Sequence, residues 1–355
     1  MIGRARIGLV GCGIIGRHYA ERAAGFDSFQ LVACADLDRA SAEALADEQR
    51  LEALSVDELV AAPEVDVVLN LTPPSAHAAV IRAALAAGKH VYTEKPLASS
   101  FAEAAALVAE AERLGLRLGS APDTFLGGAY QAARAAIAEG TIGEPISATA
   151  TMLVSGPESW HPNADFFFRA GGGPLLDIAP YYLTAIASLL GPFAAATGFT
   201  AMPTPERTLL VGPRAGERFH SDVPTHAAAA LRLESGALAT LVTSFEARDQ
   251  YVSELVLHGT EGMLVLPDAN AFGGAVRVRR GRGDWRDVAY DAPKARESRG
   301  LGLDEMIVAM RAGRPHRASG SLALHVLETA EAVLTAAATG RTVDLATRAG
   351  ERLAA

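Results

Sequence analysis

Near the start of the chain, Gly11-Cys12-Gly13-Ile14-Ile15-Gly16 has the residue types and spacing to hold a diphosphate. A strand-like run precedes it and a helical pattern follows, the context that a GxGxxG turn requires. Gly11 permits the tight turn, Gly13 lets the backbone approach a pyrophosphate, and Gly16 lets helix and strand touch. The helix that starts around Ile14 and Ile15 would offer its N–H groups and dipole to negative charge. Asp36 follows at the end of the second strand-like run, Leu31–Asp36. A carboxylate there accepts both adenine-ribose hydroxyls and repels a 2′-phosphate, so the expected cofactor is NAD rather than NADP. Asp38 competes with it to cap the next helix.

Three further segments carry chemistry. In Asn70-Leu71-Thr72-Pro73-Pro74-Ser75-Ala76-His77 a strand ends and a helix begins, with two prolines forcing an extended turn at the sheet edge where ligands bind. Ser75 also suits a helix cap, and His77 a packed helix-start residue. Glu94-Lys95-Pro96 again follows a strand directly. A lysine at the mouth of a nucleotide crevice, shielded from water, can exchange a proton with a hydroxyl. Gly171-Gly172-Gly173-Pro174 opens a helix in which Asp177 and Tyr181, four apart, would share one face. The polar loop Gly156–Asn163 adds Trp160 and His161, which suit stacking and hydrogen bonding to a sugar-like ligand.

These residues need a scaffold, and the periodicity supplies one. Short Val/Ile/Leu runs at 7–10, 31–35, 65–71, 91–92 and 116–120 alternate with helical patterns at 15–25, 39–50, 76–87 and 101–114. That alternation predicts a doubly wound parallel sheet, a Rossmann domain over residues 1–122. Residues 123–355 change character. A helix near 126–139 leads to strands at 146–154, 227–233, 237–245 and 254–258 joined by short turns, then helices near 304–312 and 321–339. This predicts an α+β domain with a mainly antiparallel open sheet that binds substrate and oligomerises.

The net charge of −9 excludes nucleic acid and anionic membrane as expected partners. The one dense basic stretch, Arg277, Arg279, Arg280 and Arg282, also carries Asp284 and reads as a solvated strand edge and turn. Cys12 and Cys34 have neither a CxxC partner nor metal-ligand neighbours, so reduced buried thiols are expected. Histidines never fall at metal-ligand spacing, and no catalytic metal is expected. Without a signal-peptide pattern or a long uncharged apolar run, the chain reads as cytoplasmic.

Together these elements resemble the Gfo/Idh/MocA family, which includes glucose–fructose oxidoreductase and inositol dehydrogenase, across residues 5 to about 345. The resemblance implies that Gly11, Gly13, Ile14, Ile15, Gly16 and Asp36 hold the cofactor. It implies that Thr72, Pro73, Pro74 and His77 border the nicotinamide ribose. Glu94 and Lys95 match a pair whose lysine touches both that ribose and the substrate, and Asp177 matches a substrate-binding carboxylate. Tyr181 stands where many members carry His, although members similar to glucose–fructose oxidoreductase use Tyr; Ala179 stands where Gly is common. The implied activity is hydride transfer between NAD and a secondary alcohol or ketone of a sugar, cyclitol or related polyol, with Lys95 and Tyr181 managing the hydroxyl proton. A homodimer or homotetramer through the C-terminal sheet is implied as well. Two other activities fit such a chain: glycoside cleavage by transient oxidation and elimination, and non-catalytic dinucleotide sensing.

Overall fold

The structure, a computed structural model, describes residues 3–248, 251–291 and 298–348. It divides into two compact units, Met1–Gly127 with Pro293–Leu324, and Gly128–Ala292 with His325–Ala355. This differs from the single expected boundary after residue 122, because Pro293–Leu324 returns to the first unit. Residues 349–355 of the expected second domain lie outside the described residues.

The first unit runs β1 (Ala5–Val10), α1 (Ile14–Ala23), β2 (Phe29–Ala35), α2 (Arg39–Gln49), β3 (Glu52–Leu54), α3 (Val56–Ala61), β4 (Val67–Asn70), α4 (Pro74–Ala86), β5 (His90–Thr93), α5 (Phe101–Leu114) and β6 (Leu118–Ser120). Its six strands are all parallel in the order β3-β2-β1-β4-β5-β6. This is the doubly wound Rossmann arrangement. Strands β1 and β4 are Val/Leu-rich and almost wholly buried, as helices on both faces require. Helix starts follow local chemistry: Asp38 accepts from Ala40 N, Ser55 and Glu58 form a capping box, and Ser100 accepts from Glu103 N. Strand order reverses at β1, so the carboxyl ends of β1, β2 and β4 border the crevice where such sheets bind ligands.

The second unit contains α6 (Gly128–Ala138), β7 (Pro145–Leu153), α7 (Pro174–Asp177), α8 (Ala179–Leu190), β8 (Phe193–Ala201), β9 (Glu206–Thr208), β10 (Arg218–His220), β11 (His226–Leu233), β12 (Leu238–Ser244), β13 (Val252–Gly259), β14 (Gly262–Leu266), β15 (Arg277–Arg280) and β16 (Arg286–Asp287). In chain order come α9 (Leu301–Arg311), which belongs to the first unit, α10 (Gly320–Thr339) and β17 (Val343–Asp344). The large sheet has the order β16-β15-β14-β13-β7-β12-β11-β8-β17 and is antiparallel except for the β7–β12 pair. One face is packed through Ala148, Ala150 and Met152 of β7, and Tyr182 of α8 reaches Met152 there. The opposite face of the sheet exposes Thr149, Phe199, Ala228, Ala230, Leu238 and Thr240. Helix α10 is long and apolar enough to cross a membrane by length and composition alone; 56% of that window is buried in the protein, and its Glu328 accepts from Ala346 N and Thr347 N.

The return of α9 to the first unit depends on Asp123. Its Oδ2 accepts from Gly300 N at 3.1 Å and Gly302 N at 2.9 Å, capping α9 from far along the chain. Ser28 Oγ then donates to Asp304 Oδ1 at 2.6 Å, and Arg311 donates to Ser28 O at 2.7 Å. Burial pushes the Asp123 carboxyl up to about 6, against the two N–H donors and Arg299, which favour its charged form. A carboxyl raised in the folded state favours folding most below its unfolded pKa of about 4, and that advantage is lost as pH rises through about 6. The native protein should therefore lose on the order of 1–3 kcal/mol across this window from this one group. Asp123→Asn keeps an acceptor for the two N–H groups and should remove that component. Urea unfolding at both ends of the window checks this, and an identical pH slope in the two proteins refutes it.

Candidate active site

The glycine turn has no room for side chains at two of its three positions. Gly11 sits at φ +103°, and a Cβ there would lie 2.6 Å from the Leu71 carbonyl group. On Gly16 a Cβ would lie 2.1 Å from Gly11 O, so α1 touches the turn itself. Gly13 meets nothing within 4 Å. Helix α1 begins after Gly13 with no side-chain cap, and Ile14 is 56% exposed beside it. An uncapped helix start next to open space fits a dinucleotide diphosphate.

Asp36 is half-buried at the end of β2. Its Oδ2 accepts from Cys12 N at 2.7 Å and its Oδ1 from Asp38 N at 2.9 Å, so it also fastens the glycine turn to β2. The cap of α2 belongs to Asp38. Both cysteines are buried free thiols.

Two turns at the carboxyl ends of β4 and β5 form the rest of this unit's rim. Asn70, fully buried at the end of β4, accepts from Thr72 Oγ1 at 2.7 Å and donates to His77 O at 3.2 Å, while its own carbonyl accepts from Glu94 N at 2.9 Å. Pro74 opens α4, where the missing N–H costs nothing. Thr72 and Pro74 are half-buried and Pro73 is exposed. Glu94 is turned into the unit: its Oε1 accepts from Tyr19 Oη at 3.0 Å and lies 3.7 Å from Arg299, and its Oε2 accepts from Lys95 N at 3.1 Å. Lys95 itself is half-buried. His77 is fully buried and spans the two turns, with Nδ1 2.7 Å from Pro96 O and Nε2 2.8 Å from Thr72 O. Burial holds its pKa below the ordinary histidine value, against the two carbonyls and Glu94.

Asp177, Tyr181, Trp160 and His161 belong to the second unit. The glycines and Pro174 do open a helix, but the expected single helix through Asp177 and Tyr181 is corrected to two, broken at Ile178. Pro180 lacks the N–H that would bond Leu176 O, so a continuous hydrogen-bond ladder is impossible there. Tyr181 is 7% exposed and Asp177 half-buried. Trp160 is 61% exposed and packs edge-on against His161 at 5.5 Å and Phe167 at 5.9 Å. Burial lowers the His161 pKa, while the Asn163 backbone and the charges of Asp165 and Asp177 raise it, which places Asp177 within electrostatic reach of the ring.

Several supporting residues escaped the sequence reading. Arg207 of β9, buried, pairs with Glu158 at 2.7 Å and Glu246 at 3.0 Å and lies 5.0 Å over the Phe168 ring. Glu158 sits in the 3-10 turn Pro157–Ser159 that leads into Trp160. Tyr19 and Arg299 were missed as well, and nothing local in the sequence marks them, since their partner Glu94 lies far along the chain. Among the described residues no three His, Cys, Asp or Glu side chains gather as a metal site.

Known proteins match this architecture over most of its length. Residues 5–121 match the model of the oxidoreductase family with an NAD-binding Rossmann fold, and residues 130–265 match the GFO/IDH/MocA C-terminal domain. A 1,5-anhydro-D-fructose reductase of Ensifer adhaerens is 29% identical over 96% of this chain and 99% of its own. A dTDP-3,4-didehydro-2,6-dideoxy-alpha-D-glucose 3-reductase of Saccharopolyspora spinosa is 32% identical over 74% of this chain and 75% of its own. Among solved structures, an NAD binding oxidoreductase from Klebsiella pneumoniae superposes with a TM-score of 0.85 at 25% identity, covering 97% of this chain and 99% of that one. With the glycine turn, the Rossmann sheet and the C-terminal sheet all in place, the chain belongs to the Gfo/Idh/MocA family of NAD-binding oxidoreductases.

Proposed function

We propose that the protein interconverts a secondary alcohol and a ketone on a sugar, cyclitol or related polyol. The observation that carries this reading is an uncapped glycine turn and Lys95 at the carboxyl edge of one parallel sheet, with Asp36 at that same edge. NAD, when bound, supplies the hydride acceptor at its nicotinamide C4. Gly11, Gly13, Ile14, Ile15 and Gly16 receive the diphosphate, and Asp36 the adenine ribose. Thr72, Pro73, Pro74 and Glu94 shape the nicotinamide end. Lys95 and Tyr181 manage the hydroxyl proton, one of them accepting it as the C=O bond forms and returning it in the reverse direction. Asp177 accepts hydrogen bonds from neighbouring hydroxyls, and Trp160 with His161 offers aromatic surface to the C–H faces of a ring. Relatives named as a 1,5-anhydro-D-fructose reductase and a dTDP-3,4-didehydro-2,6-dideoxy-alpha-D-glucose 3-reductase support this substrate class. The exposed sheet face with Phe199 and Leu238 suits a second copy of the chain, giving a homodimer or homotetramer.

The direct test is a panel of sugars and cyclitols incubated with NAD while the NADH absorbance band is followed. Net NADH formation with a member of the panel supports the reading; product without net NADH favours transient oxidation and elimination instead. NAD should bind at least about tenfold more tightly than NADP, because Asp36 repels a 2′-phosphate. Asp36→Ser should narrow that gap, and equal affinities in the native protein would refute the role given to Asp36. Lys95→Ala and Tyr181→Phe should each lose roughly 10²-fold in turnover, the scale of general acid–base help, with NAD binding changed only modestly. Near-native turnover in either variant removes that residue from the proton transfer.

A further inference from the structure

The ring of His77 bridges the turn after β4 and the turn after β5 by hydrogen-bond contacts at both ends. Both partners are carbonyl oxygens, Thr72 O and Pro96 O, at 2.8 Å and 2.7 Å from the two ring nitrogens. A carbonyl only accepts, and a neutral imidazole carries one N–H. In the neutral ring, one of these short contacts therefore sets a nitrogen lone pair against an oxygen lone pair. Only the imidazolium donates at both ends. Asn70 Nδ2 adds a third tie by donating to His77 O at 3.2 Å.

We propose that His77 is a positioning residue for the nicotinamide end of the site, tying the Thr72 turn to the Lys95-Pro96 turn, and that the tie is complete only when the ring is protonated. The inference rests on the reading that these two turns border the nicotinamide. The charged groups around the ring are Glu94, which favours the imidazolium, and Lys95, which opposes it. Glu94 is in turn held by Tyr19 and Arg299. Burial also opposes the charge, so protonation belongs to pH values below the ordinary histidine range. Each turn then becomes better fixed as the pH falls, and Lys95 lies in the peptide segment immediately before Pro96. A better-fixed rim costs less to order on binding.

The test is NADH affinity, read by nucleotide fluorescence from about pH 8 to about pH 5, in the native protein and in His77→Gln. One glutamine amide cannot span both carbonyls as the imidazolium does. Native NADH affinity should tighten several-fold through a single titration step. His77→Gln should bind about tenfold more weakly, the scale of one lost buried hydrogen bond, and show no step. Nitrogen NMR of the native imidazole should show both ring nitrogens protonated at the acid end, with a midpoint matching the affinity step; this needs no variant. A ring that stays neutral throughout, or a variant with native affinity and a native pH profile, overturns the proposal. Lys95→Ala separates the two readings. It should keep the NADH step while losing turnover, so unchanged turnover there sinks the role of Lys95 and leaves the His77 step standing.

Discussion

No side chain fits at Gly16, and much of the first unit follows from that. With a Cβ only 2.1 Å from Gly11 O, any other residue would push α1 away from the turn. Gly11 is confined in the same way by its positive φ and by the Leu71 carbonyl of the neighbouring turn. Close approach lets α1 start at the sheet edge, pointing its uncapped N–H groups outward. Asp36 completes the arrangement, because Oδ2 holds Cys12 N at 2.7 Å and so fixes the turn relative to β2. The same carboxylate that we propose reads a ribose therefore also braces the glycine turn.

The rim of the crevice is built by polar groups that turn inward. Asn70 ties the Thr72 turn through its side chain and the Glu94 turn through its carbonyl. Glu94 spends its carboxylate on Tyr19, Arg299 and the backbone of Lys95 rather than on solvent. Buried polar groups left unpaired are costly, so these partners must be present together for the turns to hold their shape. Lys95, on such a turn, inherits its backbone position from the brace beneath it.

A comparable brace supports the aromatic loop of the second unit. Arg207 lies among Glu158, Glu246 and the Phe245 carbonyl, and Thr225 adds a hydrogen bond to Glu246. One guanidinium between the buried Glu158 and the half-buried Glu246 leaves the cluster short of positive charge, and burial raises the Glu158 pKa against the Arg207 charge. The cluster fixes the 3-10 turn that leads into Trp160 and His161. Losing Arg207 would leave two uncompensated carboxylates at the base of that loop.

The sequence alone determined those features whose causes are local. A strand followed by GxGxxG can only make this turn with these glycines, and alternating buried strands and capped helices announce a parallel sheet. Pro174 after three glycines marks a helix start for the same reason. What tertiary structure decided involves partners far apart in the chain or a balance of competing signals. Strand β8, Phe-Ala-Ala-Ala-Thr-Gly-Phe-Thr-Ala, carries weak strand propensity and is held by pairing with β11 and β17. Asp38, not Asp36, caps α2, a choice that two nearby carboxylates leave open until distances are known. The break at Ile178 was written in Pro180, yet the periodicity around it outweighed the missing N–H. Asp123 capping α9, Arg207 gathering two glutamates and His77 joining two carbonyls are long-range or backbone-mediated contacts. Residue type and spacing announce which groups can do chemistry; only the folded chain brings to each the hydrogen-bond partners that hold it in place.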